Sequence, residues 1–186
     1  MGSFIRDVIE ALIRKLQEDV LEHTVLVPPN EYYEIKHTPS LLVIGPKLEE
    51  NREKRILEKL VEVDRDNLSY TEQNWPRYYH LDFDFVITAD NGAALLDLQE
   101  KVIVFFLTNQ EIATADVSFN LVELTPIGGL ERPNLSNLRQ ASGRYRIEDV
   151  EIFDHEVTEG KIVLYRNFRL CDYGTHRLIE TYKPDE

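Results

Sequence analysis

His80, Asp82 and Asp84 stand at alternate positions in one short stretch, an imidazole and two carboxylates that a strand would project from one face. Such a trio can share a metal ion, because nitrogen and oxygen ligands on neighbouring alternate positions converge above a sheet. The competing reading is a polar outer face, which the alternation with Tyr79, Leu81, Phe83, Phe85 and Ile87 already requires. No further ligand is nominated elsewhere, so no metal or cofactor is expected there. A second group, Glu31, Glu34 and His37 beside Tyr32 and Tyr33, has the residue types of an acid/base cluster. No nucleophile accompanies it, and charged loop residues explain it equally. Arg139, Arg144 and Arg146 form a basic spot that could dock carboxylates of a neighbouring copy, or stand as separate surface arginines.

The common catalytic signatures are missing. Gly128-Gly129 sits in no phosphate-cradling pattern, and the nucleophile-elbow and zinc-protease motifs are absent. Cys171 is the only cysteine, so no internal disulfide can form and a packing role suits it better than that of a nucleophile. With 34 acids against 21 bases the formal charge is −13, which opposes binding to phosphate backbones by counterion release. An acidic surface can still line a passage for DNA without sticking to it. The longest uninterrupted apolar run, Val102 to Leu107, is too short to span a bilayer. Asp7 and Glu10 near the start do not suit a signal peptide.

The elements that would position these residues are legible from periodicity. Phe4, Val8, Leu12 and Leu16 mark one face of a helix over residues 3–22, with Ser3 as its cap. Pro28, Pro29 and Asn30 break the chain. A short strand is predicted over Tyr32 to Lys36, then a buried strand over Leu41 to Ile44 before Gly45 and Pro46. Residues 47–54 read as a charged loop or a turn of helix. Residues 55–65 fit both periods and lean towards a strand that pairs with 78–89 across a loop at 66–77.

The alternating strand at 78–89 leads through Ala89-Asp90-Asn91-Gly92 into a second helix over 92–108, carried by Leu95, Leu98, Val102 and Phe105. Residues 109–116 read as loop and 117–121 as a strand. A long turn-rich connection follows at about 126–142. Tyr145 to Phe153 and Lys161 to Phe168 are predicted strands joined by a turn near Thr158-Glu159-Gly160. A last strand is predicted over Arg177 to Tyr182, after a Tyr173-Gly174 turn. The order implies an α+β domain over residues 1–186, a mainly antiparallel sheet with two main helices packed on one face.

The leading helix from Phe4 to Leu21, the strand ending in Leu42-Val43-Ile44-Gly45-Pro46, and Pro76-Arg77-Tyr78-Tyr79-His80-Leu81-Asp82-Phe83-Asp84-Phe85 before the helix Leu95 to Leu107 carry a resemblance. With its strand-rich last third, the chain resembles phage tail-completion and tail-terminator (neck) proteins, including their relatives in phage-like contractile particles. The resemblance implies a non-enzymatic structural protein with no catalytic residues. It implies a homo-oligomer, often a hexameric ring, that caps the tail tube or joins it to the head. Tail-tube and neck or head-completion proteins would be its partners, within a particle assembled in the host cytoplasm. Sequence-specific nucleic-acid binding and membrane association are not expected. The competing reading is a small-ligand or metal-dependent enzyme using the His80/Asp82/Asp84 face.

Overall fold

The computed structural model describes residues 4–114, 117–129, 138–154, 156–162, 168–171 and 178–182. They divide into two compact units, one of residues up to Arg55 with Pro76–Ile152, the other of Ile56–Trp75 with residues from Phe153 onward. The first unit opens with α1 (Phe4–Asp19), β1 (Thr24–Val27) and β2 (Ser40–Glu50). The second contributes β3 (Lys59–Asp64) and β4 (Ser69–Asn74). The chain then returns to the first unit for β5 (Arg77–Ala89), α2 (Gly92–Thr108), β6 (Glu111–Ala113), β7 (Ser118–Gly129) and β8 (Arg139–Ile152). β9 (Val157–Lys161), β10 (Phe168–Cys171) and β11 (Leu178–Tyr182) belong to the second.

A six-stranded sheet in the order β1-β2-β5-β8-β7-β6 forms the first unit, antiparallel throughout except for the parallel β1–β2 pair. Its spine is β5. Leu81, Phe83, Phe85 and Ile87 are fully buried while His80, Asp82 and Asp84 are not, which is the alternation visible in the sequence. Val8, Leu12 and Leu16 of α1 and Leu98, Val102 and Phe105 of α2 join these β5 residues in one core cluster with Tyr145 and Ile147. Both helices therefore cover the same face of the sheet. Each such side chain taken from water contributes roughly 1.5–3 kcal/mol. At the edge of the core the half-buried Phe106 ring stacks on that of Tyr145 with centroids 3.4 Å apart, and Phe85 meets both edge-on.

Local chemistry sets the helix ends. Asn91 Oδ1 accepts the Ala94 N–H at 2.9 Å, a cap that starts α2 at Gly92 as expected. Asn109 Nδ2 donates to the Phe105 carbonyl at 2.9 Å and closes its other end. α1 stops at Asp19, three residues before the expected 22, and the Thr24 hydroxyl then donates to the Leu21 carbonyl at 2.6 Å.

In β2, Leu41, Leu42 and Val43 are buried, as expected for a strand covered on both faces. Its ladder with β5 then slips. Ile44 faces Asp84 but Lys47 faces Asp82, three residues against two, a bulge at Gly45-Pro46. Gly45 has φ +151°, and a Cβ there would lie 2.8 Å from the Asp82 carbonyl oxygen, so only glycine fits. Beyond the bulge the facing of β2 is inverted: Leu41 and Val43 are core residues, whereas Lys47 and Glu49 join the outer face.

Several expectations are corrected. Tyr32 to Lys36 forms no strand. Of residues 47–54, read as a charged loop or a turn of helix, the first four instead continue β2 to Glu50, while Arg52–Lys54 do form a helical turn of the 3-10 kind. β3 pairs with β4 rather than with residues 78–89. Asp64 accepts hydrogen bonds from the N–H groups of Asp66 and Asn67 and from the Asn67 side chain, which closes a hairpin between the exposed β3 and the half-buried β4.

Residues 111–113 are a short strand on β7. The long connection at 126–142 is shortened from both sides, because β7 reaches Gly129 and β8 begins at Arg139; residues 130–137 lie outside the described residues. Pro126 is accommodated because the β7–β8 register skips between Thr125 and Gly128. Thr158, Glu159 and Gly160 are no turn but lie in β9, which pairs with β4 in the three-stranded sheet β3-β4-β9. The expected Tyr173-Gly174 turn lies outside the described residues, while β10 and β11 pair antiparallel.

Candidate functional site

The polar residues of β5 meet those of its two neighbours on the outer face of the sheet. Asp82 stands opposite Lys47 of β2 and Arg146 of β8, and Asp84 opposite Arg144. Arg146 Nε donates to Asp82 Oδ1 at 2.6 Å and its Nη2 to Oδ2 at 3.0 Å, while Nη2 also donates to Glu49. Arg144 Nε donates to Asp84 Oδ1 at 2.7 Å, and Lys47 Nζ to Asp84 Oδ2 at 3.1 Å. One row along, His80 Nδ1 accepts the Asp149 N–H at 3.4 Å. Asp149 in turn accepts from Asn51 Nδ2 at 2.8 Å and Lys54 Nζ at 2.7 Å.

The electrostatics follow from this pairing. Partial burial works to raise the Asp84 carboxyl, but hydrogen bonds from Arg144 and Lys47 outweigh it and hold it below its ordinary value. Asp149 is depressed in the same way by Lys54 and Asn51 against the effect of burial. The hydrogen bond to Asp82 raises Arg146 well above an ordinary arginine. Lys47, Lys54, Arg144 and Arg146 thus meet Glu49, Asp82, Asp84 and Asp149, four cations against four carboxylates. In a chain of charge −13 this face is locally balanced.

His80, Asp82 and Asp84 do share one face, as their spacing predicts. Both oxygens of each aspartate are already taken by cations, so the arrangement is a lattice of ion pairs rather than a set of open ligands. Among the described residues no group of three or more His, Cys, Asp or Glu is placed to hold a metal ion. The three arginines separate in role. Arg144 and Arg146 are engaged by aspartates of their own chain. Arg139, the first residue of β8, is exposed and has no ion-pair partner among the described residues.

Glu31, Glu34 and His37 are not gathered into one site. His37 instead stacks on His23, ring centroids 5.3 Å apart, beside a cavity of about 230 Å³ lined also by Gln17, Tyr33 and Lys36. Sequence reasoning missed His23, because nothing in the intervening proline-rich stretch signals that the chain doubles back. Gly128 and Gly129 end β7, and Cys171 ends β10.

Sequence reasoning also missed a surface of α2. Leu96, Ile103, Val104 and Leu107 are 67, 43, 48 and 69% exposed. Next to them lies an open groove of about 720 Å³ lined by Asp19, Asp97, Glu100, Lys101, Val104 and Phe105 among others. The signal was present, since α2 is apolar on more sides than one core can cover.

No protein-family model and no curated protein matches the chain. Among solved structures, the sheath/tube terminator of an extracellular contractile injection system (PVC), in its extended state, matches with a TM-score of 0.53 at 14% identity, over 92% of this chain and 64% of that one. The tube-terminating cap of the anti-feeding prophage (AFP) matches with a TM-score of 0.51 at 15% identity, over 89% of this chain and 61% of that one. The chain spans less than two thirds of the length of either protein. It has the α+β fold of the tube terminators of phage-like contractile particles, the family that its sequence resembles.

Proposed function

We propose that the protein is a structural component of a phage or phage-like tail, which assembles as a homo-oligomeric ring and caps the tail tube or joins it to the head. The observation that carries this reading is the fold shared with two tube terminators over about nine tenths of the chain. A hexamer is the ring size the resemblance implies, with residues 1–186 acting as one terminator-like module. The tail tube is the primary partner and neck or head-completion proteins the secondary ones, in a particle assembled in the host cytoplasm. The acidic balance suits a ring through which DNA passes, because like charge keeps the backbone from adhering. No enzymatic role is assigned. The metal-dependent alternative needs open carboxylates on β5, and Arg144, Arg146 and Lys47 occupy them.

Electron microscopy of the purified protein mixed with the tail-tube protein of the same genome tests the proposal. Rings seated at tube ends are expected. Well-formed tubes whose ends stay bare would refute it.

A further inference from the structure

α2 carries two apolar faces. Leu98, Val102 and Phe105 are in the core, while Leu96, Ile103, Val104 and Leu107 face solvent. Spacings of 7, 8 and 11 residues from Leu96 put these four within about a quarter-turn of one another on an α-helix, so they form one stripe. Glu100 falls within that stripe and Asp97 along its groove side. Neither has an ion-pair partner among the described residues, whereas Asp19, across the groove, pairs with Lys15 at 3.8 Å. An apolar stripe with one such carboxylate inside it and another along its edge is the chemistry of a docking surface.

The charge of the chain narrows the occupant. A surface of −13 repels most approaches of a second copy to an acidic groove, so only a locally basic spot of that copy can seat there. Of the three clustered arginines, Arg144 and Arg146 are neutralised by Asp84 and Asp82. Arg139 has no ion-pair partner among the described residues, and it stands exposed at the start of β8. A ring also requires a heterologous contact, in which the stripe of one copy meets a different surface of the next.

We infer that the outer face of α2 seats the neighbouring copy in the ring, with Arg139 of that copy meeting Asp97 and Glu100 while Leu96, Ile103 and Leu107 lose their water. The inference rests on the ring reading above and names its contact. Salt weakens the charged part and leaves the apolar part.

The test is charge exchange on the full chain, read by ring assembly in the presence of the tube protein. Arg139→Glu, and separately the pair Asp97→Arg with Glu100→Arg, should each raise the concentration for half-assembly at least about tenfold, the order expected for a contacting charge pair. The combined swap should restore assembly. Because these residues are exposed, folding is checked by thermal melting, and rescue by the swap cannot come from a misfolded chain. As a second measure, Arg139→Cys and Glu100→Cys chains, each also Cys171→Ser, should cross-link to one another when mixed. If the wild type forms no ring, this inference and the proposed function both fall. If the wild type and every charge variant assemble equally, only the contact is wrong. Variants that still form rings but no longer reach tube ends would assign the stripe to the tube protein and overturn the inference.

Discussion

Arg146 holds Asp82 by both oxygens, Nε at 2.6 Å and Nη2 at 3.0 Å, across the β5–β8 ladder where the two residues face each other. Their side chains are 19% and 17% exposed, so this pair is far from a surface ion pair. Its removal from one side strands a charge that water reaches poorly.

Arg146→Ala should therefore destabilise the protein by about 3 kcal/mol, because Asp82 and Glu49 both lose the guanidinium that they share. Arg146→Met combined with Asp82→Leu should cost much less, about 1 kcal/mol or under, since no charge is stranded. Chemical denaturation of the two variants checks this. Equal losses would show that packing of the arginine stem, rather than charge, holds the face together.

The acid limb of stability should reflect Asp84 and Asp149. Their folded carboxyls lie below the unfolded value near 3.9, so they bind protons less readily when folded. Their contribution is present in full above the unfolded value and fades as pH falls through the folded one. Stability should decline below about pH 4, and Asp84→Asn should flatten that decline while lowering stability at neutral pH. Melting temperature against pH is the measurement, and an unchanged acid slope in the variant would contradict the pairing.

Tyr145 should titrate abnormally late. Its ring is fully buried, and its hydroxyl donates to Glu123 Oε2 at 2.9 Å, so burial first and the carboxylate second raise its pKa well above that of a free tyrosine. Ultraviolet titration should show a tyrosinate that appears only as the protein unfolds in alkali, and Tyr145→Phe should remove it. That variant should lose about 1 kcal/mol. Phe106→Ala, which takes away the half-buried ring stacked on Tyr145, should lose about 2–3 kcal/mol, less than a fully buried phenylalanine would.

Metal ions should leave the protein indifferent. Zinc or chelator should not move the melting temperature, and protein purified without chelator should hold no stoichiometric metal that an Asp82→Ala, Asp84→Ala variant lacks. The physical reason is competition, since any cation must displace Arg144, Arg146 and Lys47. A stoichiometric metal lost in the variant would return weight to the enzymatic reading.

What the sequence reveals depends on burial. β5 and α2 were legible to within a residue or two because each puts one face in the core, and burial writes a period into the residue types. β3 has all six residues exposed, so no period records its neighbour, and in β4 five residues in a row are evenly half-buried, which leaves no alternation to read. That His80, Asp82 and Asp84 share a face was readable from spacing alone. That arginines of β8 neutralise two of them was not, because register across 60 residues or more is set by the core and by bulges that carry little local signal. Arg139 looked like Arg144 and Arg146 in sequence, and only pairing tells them apart.

The extra residue at Gly45-Pro46 gives β2 a counting rule. Upstream of it odd-numbered residues point inward, and downstream they point outward, so the strand keeps two incompatible phases joined at a hinge of fixed length. One further residue added after the bulge would keep every side chain and still drive Lys47 and Glu49 towards the aromatic interior, whereas losing one at the bulge would only close it. Substitution along β2 is thus a matter of chemistry, whereas insertion or deletion is a matter of arithmetic. Relatives of this chain should vary at the outward positions of the segment, keep glycine at the bulge, and gain no residue after it.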